Sequence, residues 1–135
     1  MDLTKLVCAI LISFVVGAVA SNTVLAGPPL ANSGNDQNAT SGQIVTLNGT
    51  ASQSLSGIPI VKYFWHLDTS PPIELANNGT ATPTLIPYVS SPTFYNFTLT
   101  VVDDDGFMSV IPDPVSIHVM PGPTCITHKI SELCQ

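Results

Sequence analysis

The sequence predicts an all-β domain built as a sandwich of two packed sheets, and three observations carry that prediction. Short segments alternate apolar and polar residues with a period of two. Between Gly27 and Pro123 no run shows helical periodicity. Clusters of Gly, Pro, Asn, Asp and Ser separate the alternating segments, as turns separate strands.

In chain order, the first element is an apolar run from Leu6 to Ala20, preceded by a segment whose one cation is Lys5. Ala18-Val19-Ala20 and Val24-Leu25-Ala26 are small-residue cleavage patterns, so residues 1–26 are expected to be a signal peptide cut after Ala20 or Ala26. The run is short against the roughly 20 apolar residues of a membrane span. Val24 and Leu25 extend its apolar character, and an uncleaved anchor is the alternative. Cys8 lies within the run without a lipobox around it. The expected organisation is a signal peptide over 1–26, a β-domain over 27–121 and a Cys-bracketed tail over 122–135.

Four alternations mark the strands. Val45 and Leu47 alternate with Thr46 and Asn48. Val61, Tyr63, Trp65 and Leu67 alternate with Lys62, Phe64 and His66. Tyr95, Phe97, Leu99 and Val101 alternate with Asn96, Thr98 and Thr100, and Val115, Ile117 and Val119 with Ser116, His118 and Met120. Successive side chains of a strand point to opposite faces, so each apolar set forms one face. Two such faces packed together supply a core of Val45, Leu47, Tyr63, Trp65, Leu67, Phe97, Leu99, Val101, Ile117 and Val119. Asn32–Asp36, Ser56-Gly57 and Asn77-Asn78-Gly79 read as turns, and Asp103-Asp104-Asp105-Gly106 as a hairpin turn between the last two strands. Pro59, Pro83, Pro87, Pro92, Pro112 and Pro114 fall at strand ends or edges, where no ladder donor is lost.

Charge excludes one class of partner. The formal net charge is -6, and only 9% of residues are charged. Once residues 1–26 are removed, Lys62 and Lys129 are the remaining cations and there is no Arg. Phosphate backbones would repel such a chain, so no nucleic-acid partner is expected. Solvation by Thr, Ser and Asn suits an extracellular surface.

The candidate chemistry is sparse. Trp65 reads as the core Trp of its strand, with a sugar-stacking platform as the other reading. Asp103, Asp104 and Asp105 could supply carboxylate oxygens to calcium, with Asp103 and Asp105 the metal candidates, but Gln53–Ile58 carries no acid to complete the six or more oxygens needed. No other cofactor is expected. His66, His118 and His128 stand beside no Ser or Cys nucleophile pattern, there is no Gly-x-Ser-x-Gly elbow, and no catalytic residue is expected. Asn38, Asn48, Asn78 and Asn96 each begin an Asn-x-Ser/Thr glycosylation sequon. Cys125 and Cys134 are an even pair in a secreted chain and are expected to form a disulfide. Metal ligation with His128, or pairing with neighbouring subunits, are the alternatives. Ile126, Ile130 and Leu133 recur at helical spacing, yet the cysteines are nine residues apart. A helix would hold them about 13 Å apart at about 1.5 Å per residue. A disulfide needs Cα atoms within roughly 4.4–6.8 Å, so helix and bridge exclude each other.

Several segments resemble the polycystic-kidney-disease (PKD) domains of surface proteins, in the variant also found in receptor-for-egg-jelly regions. They are Pro29–Gln37, Val45–Ser52, Tyr63-Phe64-Trp65, Thr80–Leu85 and Phe97–Gly106, in that order. The resemblance implies an immunoglobulin-like sandwich of seven or eight strands without the usual inter-sheet disulfide, and no Cys lies in a predicted core strand. It also implies a secreted or cell-surface adhesion, binding or spacer module that contacts other surface proteins or glycans, with self-association a further option. Two alternatives compete: a carbohydrate-binding module using Phe64, Tyr88 and Phe94, and an accessory fragment of a larger hydrolase.

Overall fold

The computed structural model describes residues 27–55 and 57–123. Its strands are β1 (Gln37–Thr40), β2 (Val45–Thr46), β3 (Ile60–Leu67), β4 (Thr84–Leu85), β5 (Thr93–Asp103) and β6 (Asp113–Met120), and no helix occurs among the described residues. They form a four-stranded sheet in the order β1-β6-β5-β3 and a two-stranded sheet of β2 and β4. β3 and β5, and β5 and β6, pair antiparallel, whereas β1 runs parallel to β6. An isolated bridge Ala76↔Thr84 widens the small sheet beyond β4, and a second, Leu30↔Gln53, ties the start of the domain to the residues after β2.

The layers are those the alternation predicts. Val45, Leu47 and Leu85 of the small sheet meet Trp65, Tyr95, Phe97, Leu99, Val101, Val115, Ile117 and Val119 of the large one in a single buried cluster. Leu47, Phe97, Leu99, Val101, Ile117 and Val119 are fully enclosed. Period two aims these side chains inward from both sheets, and their burial is the main favourable term in folding.

Four expectations need correction. Seven or eight strands were implied; six are present among the described residues, because Leu30–Gln53 and Ala76–Thr84 pair only as isolated bridges, and the second alternation forms a regular ladder only over Val45–Thr46. Beyond Thr46 the chain keeps main-chain bonds outside the ladder, Leu47 N–H to the Pro83 carbonyl and Gly49 N–H to the Ala81 carbonyl. Val61 is exposed rather than core-facing, because the register of β3 against β5 shifts between Ile60 and Lys62 and hands the inward position to Ile60. Tyr63 and Leu67 are half-buried rather than enclosed, since β3 is the edge of its sheet. Finally, Asp103–Gly106 does turn, with Gly106 N–H bonding the Asp103 carbonyl, but it is not the whole connection. It closes on a Val102↔Met108 bridge, and the chain makes a further excursion through Val110, Ile111 and Pro112 before β6 begins.

The start of the domain crosses between sheets. Leu30 bonds Gln53 on the small sheet, and seven residues later Gln37 lies against Ile117 on the large one. Side chains fasten the crossing. The carboxylate of Asp113 accepts the Ser33 N–H and hydroxyl, both at 2.7 Å, and the hydroxyl also reaches the Pro114 carbonyl at 3.0 Å. Asp36 accepts the Ser116 N–H at 2.8 Å. Both links span 80 residues of sequence. The expected signal peptide (1–26) and the Cys125–Cys134 tail lie outside the described residues, as does His128.

Candidate functional site

The inward parity of β5 runs Tyr95, Phe97, Leu99, Val101 and then Asp103, which is 1% exposed. A carboxylate taken so far from water must be hydrogen-bonded. Asp103 Oδ1 accepts the Phe107 N–H at 2.8 Å, and Oδ2 lies 3.5 Å from the Ser54 hydroxyl. The main chain of Asp103 is also held, its N–H by the Phe107 carbonyl and its C=O by Gly106. Gly106 is there because its φ of +87° is one that side-chain-bearing residues avoid. Ser109, also buried, closes the other side: its N–H donates to the Val101 carbonyl and its hydroxyl oxygen accepts the Val101 N–H. Asp104 N–H bonds the Pro59 carbonyl, which joins this connection to the one between β2 and β3.

These bonds form a fixed base, and what it displays is apolar. Phe107, Met108, Val110 and Ile111 are all exposed, Val110 and Ile111 at 75% each. Leu55, at 62%, stands at the same end of the sandwich, next to Ser54. Exposed Asp104 and Asp105 lie beside this surface. Single exposed apolar residues are ordinary, but here four of the five residues from Phe107 to Ile111 are apolar and exposed.

The other candidates are dispersed. Asp105 is exposed, and no group of three or more His, Cys, Asp or Glu residues able to hold a metal is present among the described residues. Trp65 is 6% exposed; its ring packs against Gly49 and Leu99, and its indole N–H donates to the Thr80 carbonyl at 3.0 Å. It is a core residue, and its one open side lines a hollow of about 370 Å³ with Leu67, Ile73, Leu75 and Phe97, beside exposed Glu74 and Asn78. His66 is exposed, 3.8 Å from Asp68. His118 stacks on Phe94 with ring centroids 4.2 Å apart.

Phe64, Phe94 and Tyr88 do not form a row. Phe64 pairs across to Thr100 and Phe94 to His118, so six residues of β5, about 20 Å at roughly 3.3 Å each, separate their positions. Tyr88 stands at the far end of the other sheet, against Gly42. Among the sequons, Asn38, Asn48 and Asn78 are exposed. Asn48 accepts the N–H and hydroxyl of Thr50. Asn96 is half-buried on the outer face of β5, where its side-chain oxygen accepts the Ser116 hydroxyl.

Sequence reasoning missed Ser33, Asp113, Ser109 and the apolar tip. The tip did leave a signal: Phe107-Met108-Ser109-Val110-Ile111 is an apolar run in what should be a polar turn.

The family model described as K319L-like, PKD domain, matches residues 33–119, more than half of the chain. The chain belongs to that family. Solved structures agree. The PKD domain from KIAA 1837 protein is 28% identical with a TM-score of 0.55, over 70% of this chain and 90% of that one. The PKD1 domain of Vibrio anguillarum Epp is 20% identical with a TM-score of 0.50, over 72% of this chain and 99% of that one. A nucleoside hydrolase-related hypothetical protein from Saccharophagus degradans, associated with carbohydrate metabolism, is 19% identical with a TM-score of 0.58. That match covers 70% of this chain and 26% of the larger protein. At such identities the last two bear on the fold alone. No curated protein matches the chain.

Proposed function

We propose that this PKD domain is a non-catalytic binding module of the cell exterior that docks a protein partner on the apolar end of its β5–β6 connection. The observation that carries the reading is the pair Val110 and Ile111, adjacent and 75% exposed, on a loop whose base is fixed by buried Asp103 and Ser109. A fixed loop loses little entropy on binding, and burying two branched side chains there supplies affinity. Asp104 and Asp105 beside the tip favour a partner with an apolar pocket and a cationic rim. The apolar N-terminal run, the four sequons and the near absence of cations support an extracellular setting.

The test is binding of the purified, fluorescently labelled chain to the surface of cells from its source. Val110→Asp with Ile111→Asp should abolish saturable binding without changing the melting temperature. Tyr88→Asp, equally exposed at the opposite end, should leave binding intact. A tip variant that binds like the parent overturns the reading.

A further inference from the structure

β3 ends the large sheet with an edge that no strand covers among the described residues. It pairs with β5 on one side only. Asp68 N–H bonds the Asn96 carbonyl, and the register carries that phase back along the strand. His66, Phe64 and Lys62 therefore aim their main-chain groups at Thr98, Thr100 and Val102. The N–H and C=O groups of Tyr63, Trp65 and Leu67 point the other way, out of the sheet, where no strand pairs with β3 among the described residues. The turn at Asn77–Gly79 lies beside this edge, where a Cβ on Gly79 would stand 4.0 Å from the Tyr63 carbonyl. No proline interrupts Ile60–Leu67. The bulge at Ile60–Lys62 shortens the regular edge to Lys62–Leu67, and that unpaired stretch is a template for another strand.

Charge selects the occupant. Lys62 is the sole Lys or Arg among the described residues, and it stands on this edge, six residues before Asp68. Two antiparallel copies of β3 centred on Trp65 bring Lys62 of each copy opposite Asp68 of the other, and Phe64 opposite His66. Each match occurs twice about the two-fold axis. In this register the outward-pointing groups of Tyr63, Trp65 and Leu67 bond one another. Lys62, Phe64, His66 and Asp68 fall in the non-hydrogen-bonded pairs, where opposing side chains are closest. Centring on Phe64 instead sets Lys62 against His66 and loses the charge match. We infer that β3 is the interface of a two-fold dimer of this chain, joining two four-stranded sheets into one continuous sheet.

Sedimentation velocity of the full chain across a concentration series, in reductant to remove any Cys-linked species, tests this. The parent should show a reversible monomer–dimer equilibrium. Lys62→Asp sets Asp against Asp68, Asp68→Lys sets Lys against Lys62, and each variant alone should dimerise at least tenfold more weakly. An equimolar mixture of the two restores both opposite-charge pairs and should recover the dimer. Circular dichroism melts confirm that each variant is folded; if Asp68→Lys is not, Asp68→Asn serves as the second weakened variant and should dimerise more weakly than the parent. A parent that stays monomeric, or a dimer indifferent to these substitutions, overturns the inference.

Discussion

Trp65→Ala probes the centre of the sandwich. The side chain is 6% exposed, touches Leu99 and the Gly49 backbone, and spends its one polar group on the Thr80 carbonyl at 3.0 Å. An aromatic side chain buries about 150–250 Å². At about 25 cal/mol per Å² its transfer contributes about 4–6 kcal/mol. Truncations of this kind in cores cost about 3–5 kcal/mol, because the surroundings partly collapse into the void. For a domain of about 60–100 residues each kcal/mol is worth about 4–8 °C, so the melting temperature should fall by at least about 12 °C. Circular dichroism is the assay, since the chain has a single Trp and the substitution removes the fluorescent probe. Trp65→Phe keeps a ring and loses the N–H bond, and should fall between the parent and the Ala variant. A loss below about 1 kcal/mol for Trp65→Ala, the level of an average point substitution, would refute the view that this ring organises the core.

The remaining predictions concern neighbouring joints. A Cβ on Gly49 would meet Leu99 at 3.0 Å and Trp65 at 3.1 Å, so Gly49→Ala should cost about 1–3 kcal/mol by overpacking, read from urea midpoints. Ser33→Ala removes a buried hydroxyl that bonds Asp113 and should cost about 1–2 kcal/mol in the same assay. Asp103→Ala leaves the Phe107 N–H without its carboxylate, and faster hydrogen exchange should appear at Phe107 with a stability loss of about 1–3 kcal/mol. For the segments outside the described residues, intact mass of the natively secreted chain should show a start at Ser21 or Gly27, at least one glycan, and two hydrogens fewer than the reduced form for a Cys125–Cys134 bridge.

The parts legible in the sequence were those with a local signature. Trp65, Phe97, Leu99 and Ile117 declare their face by period two within their own strands, and Asn77 and Gly79 declare a turn, confirmed by positive φ at both. The crossing from small sheet to large left no such trace. It rests on Ser33 with Asp113 and Asp36 with Ser116, partners 80 residues apart whose residue types are common in any loop. The parallel pairing of β1 with β6 is equally non-local, and Gln37–Thr40 has too few apolar residues to read as a strand. At Val61 period two gave the wrong face, because a bulge changes the phase without changing the composition.

The three consecutive aspartates show how a local pattern can point to the wrong unit. As a cluster they suggest shared cation chemistry. Strand parity divides them. Asp103 continues the series Tyr95, Phe97, Leu99, Val101 and therefore turns inward, while Asp104 and Asp105 fall beyond the strand and face water. Burial commits the Asp103 carboxylate to the Phe107 N–H, and that bond fixes where the following residues stand. Ser109 repeats the device on the far side of the loop through Val101. Above these bonds the loop presents Val110 and Ile111 to water. A substitution at Asp103 should therefore weaken partner binding through the position of Val110 and Ile111, and high-affinity binding by a folded Asp103→Ala chain with a mobile Phe107 amide would break that link.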